Sequence, residues 1–315
     1  MTAREILEWR ASVRRALRRH FDDRGYLEVD TPVLAAEVLP EAHIDPLSVP
    51  LAGRPARWLQ ASPENLMKRL LAAGSGAIYQ FAHAFRDGER GPQHDVEFTL
   101  LEWYAPGATL DDAASELAAL CTAVIGTSGI ERVSCTERFQ ALAGVDPVTA
   151  SADELLAAAT RAGCRLPEGL AEIPEAERRD RGFELLLAEV VQPSLGHDRP
   201  TLLEAWPVSQ AAFARIDPDR PTTARRFELF IKGVELANGW EEETDREPLL
   251  ERIAASNETR RLSGREILPV PHRLLAAHGP TMPAGLGAAL GFDRLVMLAA
   301  GAATIDAVRC FSDGG

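Results

Sequence analysis

The sequence predicts an α+β fold, an antiparallel sheet flanked by helices, with a mainly helical insertion. Three observations carry that prediction. Strand-like runs at 78–86 and 95–105 are joined by a polar Gly/Pro loop, Asp87 to His94, as in a long-loop hairpin. Helical periodicity is set apart from these runs and does not alternate with them, which argues against a parallel βαβ sheet. The stretch 127–200 is Ala/Glu/Arg-rich and broken by Pro147, Pro167, Pro174 and Pro193.

The elements follow in order. Ile6, Trp9, Val13, Leu17 and Phe21 recur at three- and four-residue steps, so 4–24 reads as an amphipathic helix that Gly25 ends. Tyr26 to Val29 is a short strand, stopped by Thr31-Pro32. Residues 63–74 read as a helix with Ser62 as its cap, Pro63 in its first turn and Gly74 closing it. After the hairpin, Thr109 begins a helix to about Ile125, with Asp111 and Asp112 favourable in its first turn. The insertion, 127–200, is expected to hold two or three helices within a single domain spanning 1–315. From Arg225 to Asn238 the pattern returns to strand, with Gly233 as an internal bulge and Asn238-Gly239 as a tight turn. Residues 246–262 form a helix, and the Gly-rich stretch from Pro283 leads into a final strand and helix.

Composition narrows the function classes. With 46% hydrophobic and 26% charged residues, the chain is a globular sequence and not a disordered one. No run approaches the roughly 18 apolar residues of a membrane-spanning helix. The charged start, Met1 to Glu5, has no apolar signal region, and the four cysteines are widely spaced, so a cytoplasmic protein with reduced thiols is expected. A net charge of −13 disfavours broad binding to nucleic acid, which depends on neutralising phosphates. It is compatible with a small cationic substrate.

Four segments carry candidate chemistry. Alternation in the second hairpin strand puts Val96, Phe98, Leu100, Glu102 and Tyr104 on one face. Glu102, between Leu101 and Trp103, has a context that argues for burial, and a buried carboxylate needs a cation or several donors. By itself the position favours an internal Arg or Lys as partner over a ligand ammonium. Tyr104 on the same face raises the ligand reading, since a phenol can orient an ammonium. The loop Phe85 to Gly91 clusters arginines with glycines, which suits a phosphate or carboxylate, or a solvated turn. Glu228 and Glu235 lie seven residues apart, on opposite faces by strict alternation and on one face with a bulge at Gly233. On one face they suit Mg²⁺ together with phosphate oxygens; otherwise one acid is buried and the other exposed. Asp293 and Arg294 fall near a helix start, where an arginine suits a nucleotide phosphate. The Gly-rich approach lacks both the GxGxxG spacing and the Lys-Ser/Thr of a P-loop.

In this order the segments resemble the three signature motifs of class II aminoacyl-tRNA synthetases. Motif one corresponds to Arg24 through Leu34, motif two to Phe85-Arg86 through His94 with Glu97 to Tyr104, and motif three to Gly287 through Arg294. Ser62-Pro63-Glu64 with Met67-Lys68-Arg69-Leu70, and Glu235 to Gly239 with Glu242, are similar to the lysine-specific branch. Within it the chain looks most like the elongation factor P–lysine ligase family, essentially end to end. Motif one begins at Arg24, which leaves no room before it for an anticodon-reading OB-fold, and Ala289 stands where the synthetase pattern has glycine.

The resemblance implies activation of (R)-β-lysine by ATP and its transfer to a lysine of elongation factor P, without anticodon recognition of tRNA. The alternative it leaves is a lysyl-tRNA synthetase-like paralogue that activates α-lysine or another amino acid for a different acceptor. It also implies the roles of individual residues. Arg86 would bind the α-phosphate and the substrate carboxylate, Phe98 would stack on adenine, and Arg294 would hold the γ-phosphate side of a bent ATP. Glu89 and His94 belong to the same ATP-binding loop. Glu228 and Glu235 would coordinate Mg²⁺, and Asn238 would help hold the substrate carboxylate. Glu64 would take the amino group near the carboxyl carbon, and Glu102, Tyr104 and Glu242 the ε-ammonium. Ala289 bears on the choice of β-lysine over α-lysine. A homodimer built on motif one is implied as well. Three positions depart from the family pattern: Gly88 where a glutamate is common, Asp95-Val96 for Asn-Pro, and Asn65 for a frequent tyrosine.

Overall fold

Thr2 and Glu5 close a reciprocal capping box on the first helix, α1 (Ala3–Asp22), and Ile6, Val13, Leu17 and Phe21 are its buried stripe. This computed structural model describes residues 2–311. Next come β1 (Leu27–Glu28), β2 (Leu34–Ala35), β3 (Ser48–Leu51), β4 (Arg54–Leu59), α2 (Glu64–Ala72), β5 (Ile78–Phe85), β6 (Glu97–Pro106) and α3 (Leu110–Ile125). The helix α3 has its own capping box, from Thr109 and Asp112. Then follow β7 (Glu131–Ser134), α4 (Cys135–Ala143), α5 (Ala152–Arg161), α6 (Glu175–Leu186), β8 (Thr201–Pro207), β9 (Thr223–Ile231) and β10 (Val234–Glu241). The chain ends with α7 (Arg246–Leu262), α8 (His272–Ala277), β11 (Gly285–Gly291) and α9 (Phe292–Ala299).

The chain divides into two compact units, Thr127–Glu241 and the segments on either side of it. In the flanking unit, β6 is the middle of the sheet: β5 pairs with it antiparallel on one side and β11 on the other. Every residue of β6 from Thr99 to Ala105 is buried, because both faces of this strand are covered. The ring of Phe21 stacks on Tyr79 with centroids 4.8 Å apart, and Trp103 lies 5.4 Å away, so α1 is welded to the sheet by aromatic packing. A smaller core of Met67, Leu71, Ile78, Tyr104 and Met282 holds α2 against the same sheet.

The sheet is mixed and not purely antiparallel: β1 runs parallel to β5 at its edge. The chain between them leaves the sheet to build a small one of its own, β2-β4-β3, and then α2, which supplies the crossover that parallel pairing needs. The small sheet and α8 have no counterpart in the sequence expectations. Pro63 itself caps α2, with no side-chain cap, yet Ser62 still accepts the Glu64 N–H at 3.0 Å.

The unit Thr127–Glu241 contains three helices, α4 to α6, where two or three were expected, and also four strands. Phe139 and Phe183 stack at 4.9 Å in its core, beside Trp206, Leu203 and Phe230. Its strands β8, β9 and β10 are antiparallel, and β7 adds to β8 in parallel. The run expected as one strand from Arg225 to Asn238 is a hairpin. Lys232 and Gly233, with φ of 52° and 73°, form its two-residue turn, which is the left-handed geometry of a type I′ turn. Gly233 is therefore the turn and not a bulge; the bulge lies between Glu235 and Ala237. Asn238-Gly239 makes no turn, because both residues are paired inside β10, with Glu228 and Phe227.

Candidate active site

The strongest constellation lies in the flanking unit, where β6, α2, β11 and the chain at Glu242 bring ionisable groups into a closed space. Glu102 is 2% exposed. The Tyr104 hydroxyl donates to its Oε1 at 2.7 Å and the Ser62 hydroxyl to its Oε2 at 2.7 Å. These two hydroxyls take the place of the Arg or Lys that the position by itself favours. Burial pushes the Glu102 carboxyl up to about 8, helped by the nearby Glu64 charge and opposed by the two hydroxyl bonds and Lys68. Tyr104 is held well above its ordinary value by burial and by the surrounding glutamates. Around neutral pH the pair is thus a neutral phenol on a carboxyl that keeps its proton.

Lys68, one helical turn after Glu64 on α2, is the residue that sequence reasoning missed as part of the site. Its Nζ lies 2.6 Å from Glu64 Oε1 and 2.6 Å from Glu242 Oε2, and the residue is 1% exposed. Burial alone would lower the ammonium's pKa; Glu242 and Glu64 outweigh burial and raise it. Glu242 is fixed from behind by its own N–H, which donates to the Gly285 carbonyl at 2.9 Å. His278 is buried at the end of α8, where desolvation lowers its pKa, and its Nδ1 is 3.0 Å from the Leu274 carbonyl.

The third wall is β11. Ala289 is paired with Glu102 and Gly287 with Tyr104, and cross-strand partners share a face. A Cβ on Gly287 would overlap the Glu242 carboxylate and come within 2.5 Å of the Tyr104 ring. That glycine is required by space. Glu64, Glu102, Tyr104, Glu242 and Ala289 therefore all lie in one unit.

A second group surrounds the loop between β5 and β6. Arg86 stacks on Phe98, its guanidinium 5.0 Å from the ring centre, and its Nε donates to the Ala61 carbonyl at 3.3 Å. Glu89 lies 3.6 Å from the same guanidinium. Gly88 has φ of 74°, a backbone in which glutamate would be strained, so the family's acid cannot be restored there at no cost. Gly91 and His94 exchange backbone hydrogen bonds, and the Arg294 Nη2 meets His94 Nε2 at 2.6 Å while its Nε donates to the Gln93 carbonyl. Asp293 accepts from the Thr99 N–H at 2.8 Å and pairs with Arg10 at 2.7 Å, which fixes the start of α9 to β6 and α1. Asp95, in place of the common asparagine, is clamped between Arg90 and Arg309, and its pKa is lowered accordingly.

In the other unit, Glu228 pairs with Asn238 across the hairpin and Glu235 with Phe230, so both acids occupy one face. The hairpin turn achieves what the expected bulge was needed for. Arg226, also missed, donates to Glu228 at 2.5 Å and to Asn238 at 3.3 Å, with its guanidinium 4.1 Å over Trp206. Among the described residues no three His, Cys, Asp or Glu side chains form a metal cluster. Two carboxylates nevertheless fit Mg²⁺, which keeps most of its coordination for water and phosphate.

This fold, with its arginine-bearing loop and buried acid pocket, can be set beside known proteins. The family model for class II tRNA synthetases (D, K and N) matches residues 1–314. The chain is 39% identical to the elongation factor P–(R)-β-lysine ligase of Mannheimia succiniciproducens, covering 96% of this chain and 93% of that one. It is 38% identical to the same-named protein of Pasteurella multocida, over 98% and 94% of the two chains. Against that of Yersinia enterocolitica the identity is 37%, over 97% and 94%. The chain belongs to the class II tRNA synthetase family, on the branch of the elongation factor P–(R)-β-lysine ligases. Among the described residues no helix is long and apolar enough to cross a membrane.

Proposed function

We propose that this protein is an ATP-dependent ligase that activates (R)-β-lysine as an acyl-adenylate and transfers it to a lysine side chain of elongation factor P. The observation that carries the substrate reading is the charge of the pocket. Three buried glutamates, Glu64, Glu102 and Glu242, surround one internal ammonium, Lys68. The excess of carboxylates calls for a ligand with ammonium groups.

The substrate carboxylate attacks the α-phosphorus of ATP, pyrophosphate leaves, and a mixed anhydride with AMP remains. An acceptor amine then attacks the acyl carbon and expels AMP. The protein supplies no nucleophile. Arg86 holds the α-phosphate and the substrate carboxylate, Arg294 the γ-phosphate side, and Phe98 the adenine, with Glu89 and His94 shaping the loop. Glu64 binds the amino group near the carboxyl carbon; Glu102, Tyr104 and Glu242 bind the distal ammonium; Asn238 assists at the carboxylate. Glu228 and Glu235 are the ligands for Mg²⁺, which would neutralise phosphate charge when bound. The working form is a cytoplasmic homodimer built through the segment around Arg24 to Leu34, which a dimeric mass in light scattering tests.

The deciding experiment is amino-acid-dependent ATP–pyrophosphate exchange with (R)-β-lysine, α-lysine and asparagine. Preference for (R)-β-lysine is expected, followed by labelling of elongation factor P and not of tRNA. Preference for α-lysine would move the enzyme to the synthetase-like alternative. Ala289 faces the same space as Glu102, so Ala289→Gly removes a methyl from the pocket wall. It is expected to shift the β-lysine/α-lysine ratio of kcat/KM toward α-lysine by roughly tenfold, the value of one methyl group in a packed site. An unchanged ratio would remove Ala289 from the specificity determinants.

A further inference from the structure

Lys68 has no part in the reaction as described above, yet it sits at the centre of the pocket. An ammonium carried on a substrate and an ammonium carried on the protein compete for the same carboxylates. Lys68 has already taken one oxygen of Glu64 and one of Glu242, each at 2.6 Å. Glu102, by contrast, is held by two hydroxyls. The three acids are therefore not equivalent.

Two consequences follow from this asymmetry. First, Glu64 and Glu242 come from distant parts of the chain, one on α2 and one where the chain re-enters this unit after β10. The Lys68 ammonium joins their two carboxylates, which would otherwise repel each other in a medium that screens poorly. Second, once a bound ammonium has drawn the proton from Glu102, the internal cation cancels one of three negative charges, so the pocket suits the two ammonium groups of a diamino acid without a large surplus of buried anions. Gly287 allows this arrangement, since a side chain there would displace Glu242.

We propose that Lys68 is a positioning residue that acts through Glu64 and Glu242: its fixed ammonium sets both carboxylates in the orientation that receives the substrate's amino groups and makes the site selective for a diamino acid. This rests on the reading of the pocket as an amino-acid site. Lys68 touches neither substrate nor ATP in this account, so its effect should be confined to the amino acid.

The test is Lys68→Ala in pyrophosphate exchange, with the KM for (R)-β-lysine and for ATP measured separately. The amino-acid KM is expected to rise by about 100-fold while the ATP KM stays within about threefold, because the Arg86–Phe98 and Arg294–His94 group is built from other residues. Propylammonium, which restores the three carbons and the ammonium that the substitution removes, is expected to recover at least about a tenth of the lost kcat/KM. If Lys68→Ala does not fold, Lys68→Arg supplies the measurement. It keeps the charge, but its longer, bulkier planar head has to push the two carboxylates out of their present positions in a fully buried space, so the same split in KM is expected. In either folded variant, an unchanged amino-acid KM would overturn the proposal, as would a parallel rise of both KM values without rescue by the amine. Wild-type protein that activates no diamino acid at all would instead strike at the reading of the pocket, and that outcome is visible before any variant is made.

Discussion

Gly287→Ala is expected to cut amino-acid activation severely while leaving a folded protein that still binds ATP. The added methyl collides with the Glu242 carboxylate and the Tyr104 ring together, and both line the proposed substrate pocket. Neither can retreat easily. Glu242 is tied to Lys68 and to Gly285, and Tyr104 is buried in the core with Met67 and Ile78. Overpacking of this kind costs about 1–3 kcal/mol of stability, which a folded protein of this size can survive. The chemical loss is larger, because one displaced carboxylate removes its contact to the distal ammonium and disturbs Glu64 through Lys68. A fall in kcat/KM for (R)-β-lysine of at least about 100-fold is expected, read by pyrophosphate exchange beside a thermal melt. Activity within a few-fold of wild type would mean that the ligand does not occupy this space.

Glu102→Gln has an effect of similar size on activity and an opposite one on stability. A free glutamate ionises near 4.5, whereas folded Glu102 keeps its proton to about 8 because of burial first and the Glu64 charge second. Between those values the unfolded chain has lost a proton that the folded chain retains. The contribution of Glu102 to stability is therefore complete below about pH 4.5 and falls as pH rises to about 8. Glutamine has no such penalty, so the ligand-free variant should melt higher than wild type at pH 8.5, with the difference shrinking toward pH 5. Binding runs the other way. In the proposed binding mode the substrate's distal ammonium needs the ionised carboxylate, so the wild-type amino-acid KM should fall as pH rises from 6.5 to 8.5, and this slope should vanish in Glu102→Gln. The variant should lose about 100-fold or more in kcat/KM, since a charged hydrogen-bond partner of a buried ammonium is removed. A wild-type KM that is flat over this range would show that Glu102 is not the ammonium's partner.

Local periodicity made Glu102 and Tyr104 legible. Alternate residues of one strand share a face wherever the strand ends up, so their pairing needed no knowledge of the rest of the chain. Lys68 was illegible for the opposite reason. A lysine four residues after a glutamate on a helix is usually a solvated surface pair, and only Glu242 turns it into a buried bridge. The available signal was its company, since Met67, Lys68 and Leu71 all fall on the buried side of α2. The hairpin β9–β10 shows how local cues can mislead. Asn238-Gly239 carries the residues of a tight turn, but Lys232-Gly233 makes the turn, because there the apolar runs on both sides can pair as Ile231 with Val234. Arg226 was hidden in the same way as Lys68: its role depends on Asn238, which only the hairpin register brings opposite Glu228.

The division of the chain has a consequence during synthesis. The strand β6 leaves the ribosome early, but β11, whose Gly285 pairs with Pro106, is made only after the whole of Thr127–Glu241. At ordinary translation rates of about 5–20 residues per second, that edge of β6 waits on the order of ten seconds or more for its partner. During the wait Glu64, Lys68 and Glu102 exist without Glu242, and an unpaired strand edge is open to the wrong neighbour. The inserted unit, which carries its own core, can fold in that interval. A nascent chain stalled before Gly285 should therefore hold a protease-resistant Thr127–Glu241 core while the segment from Ile78 to Pro106 remains cleavable.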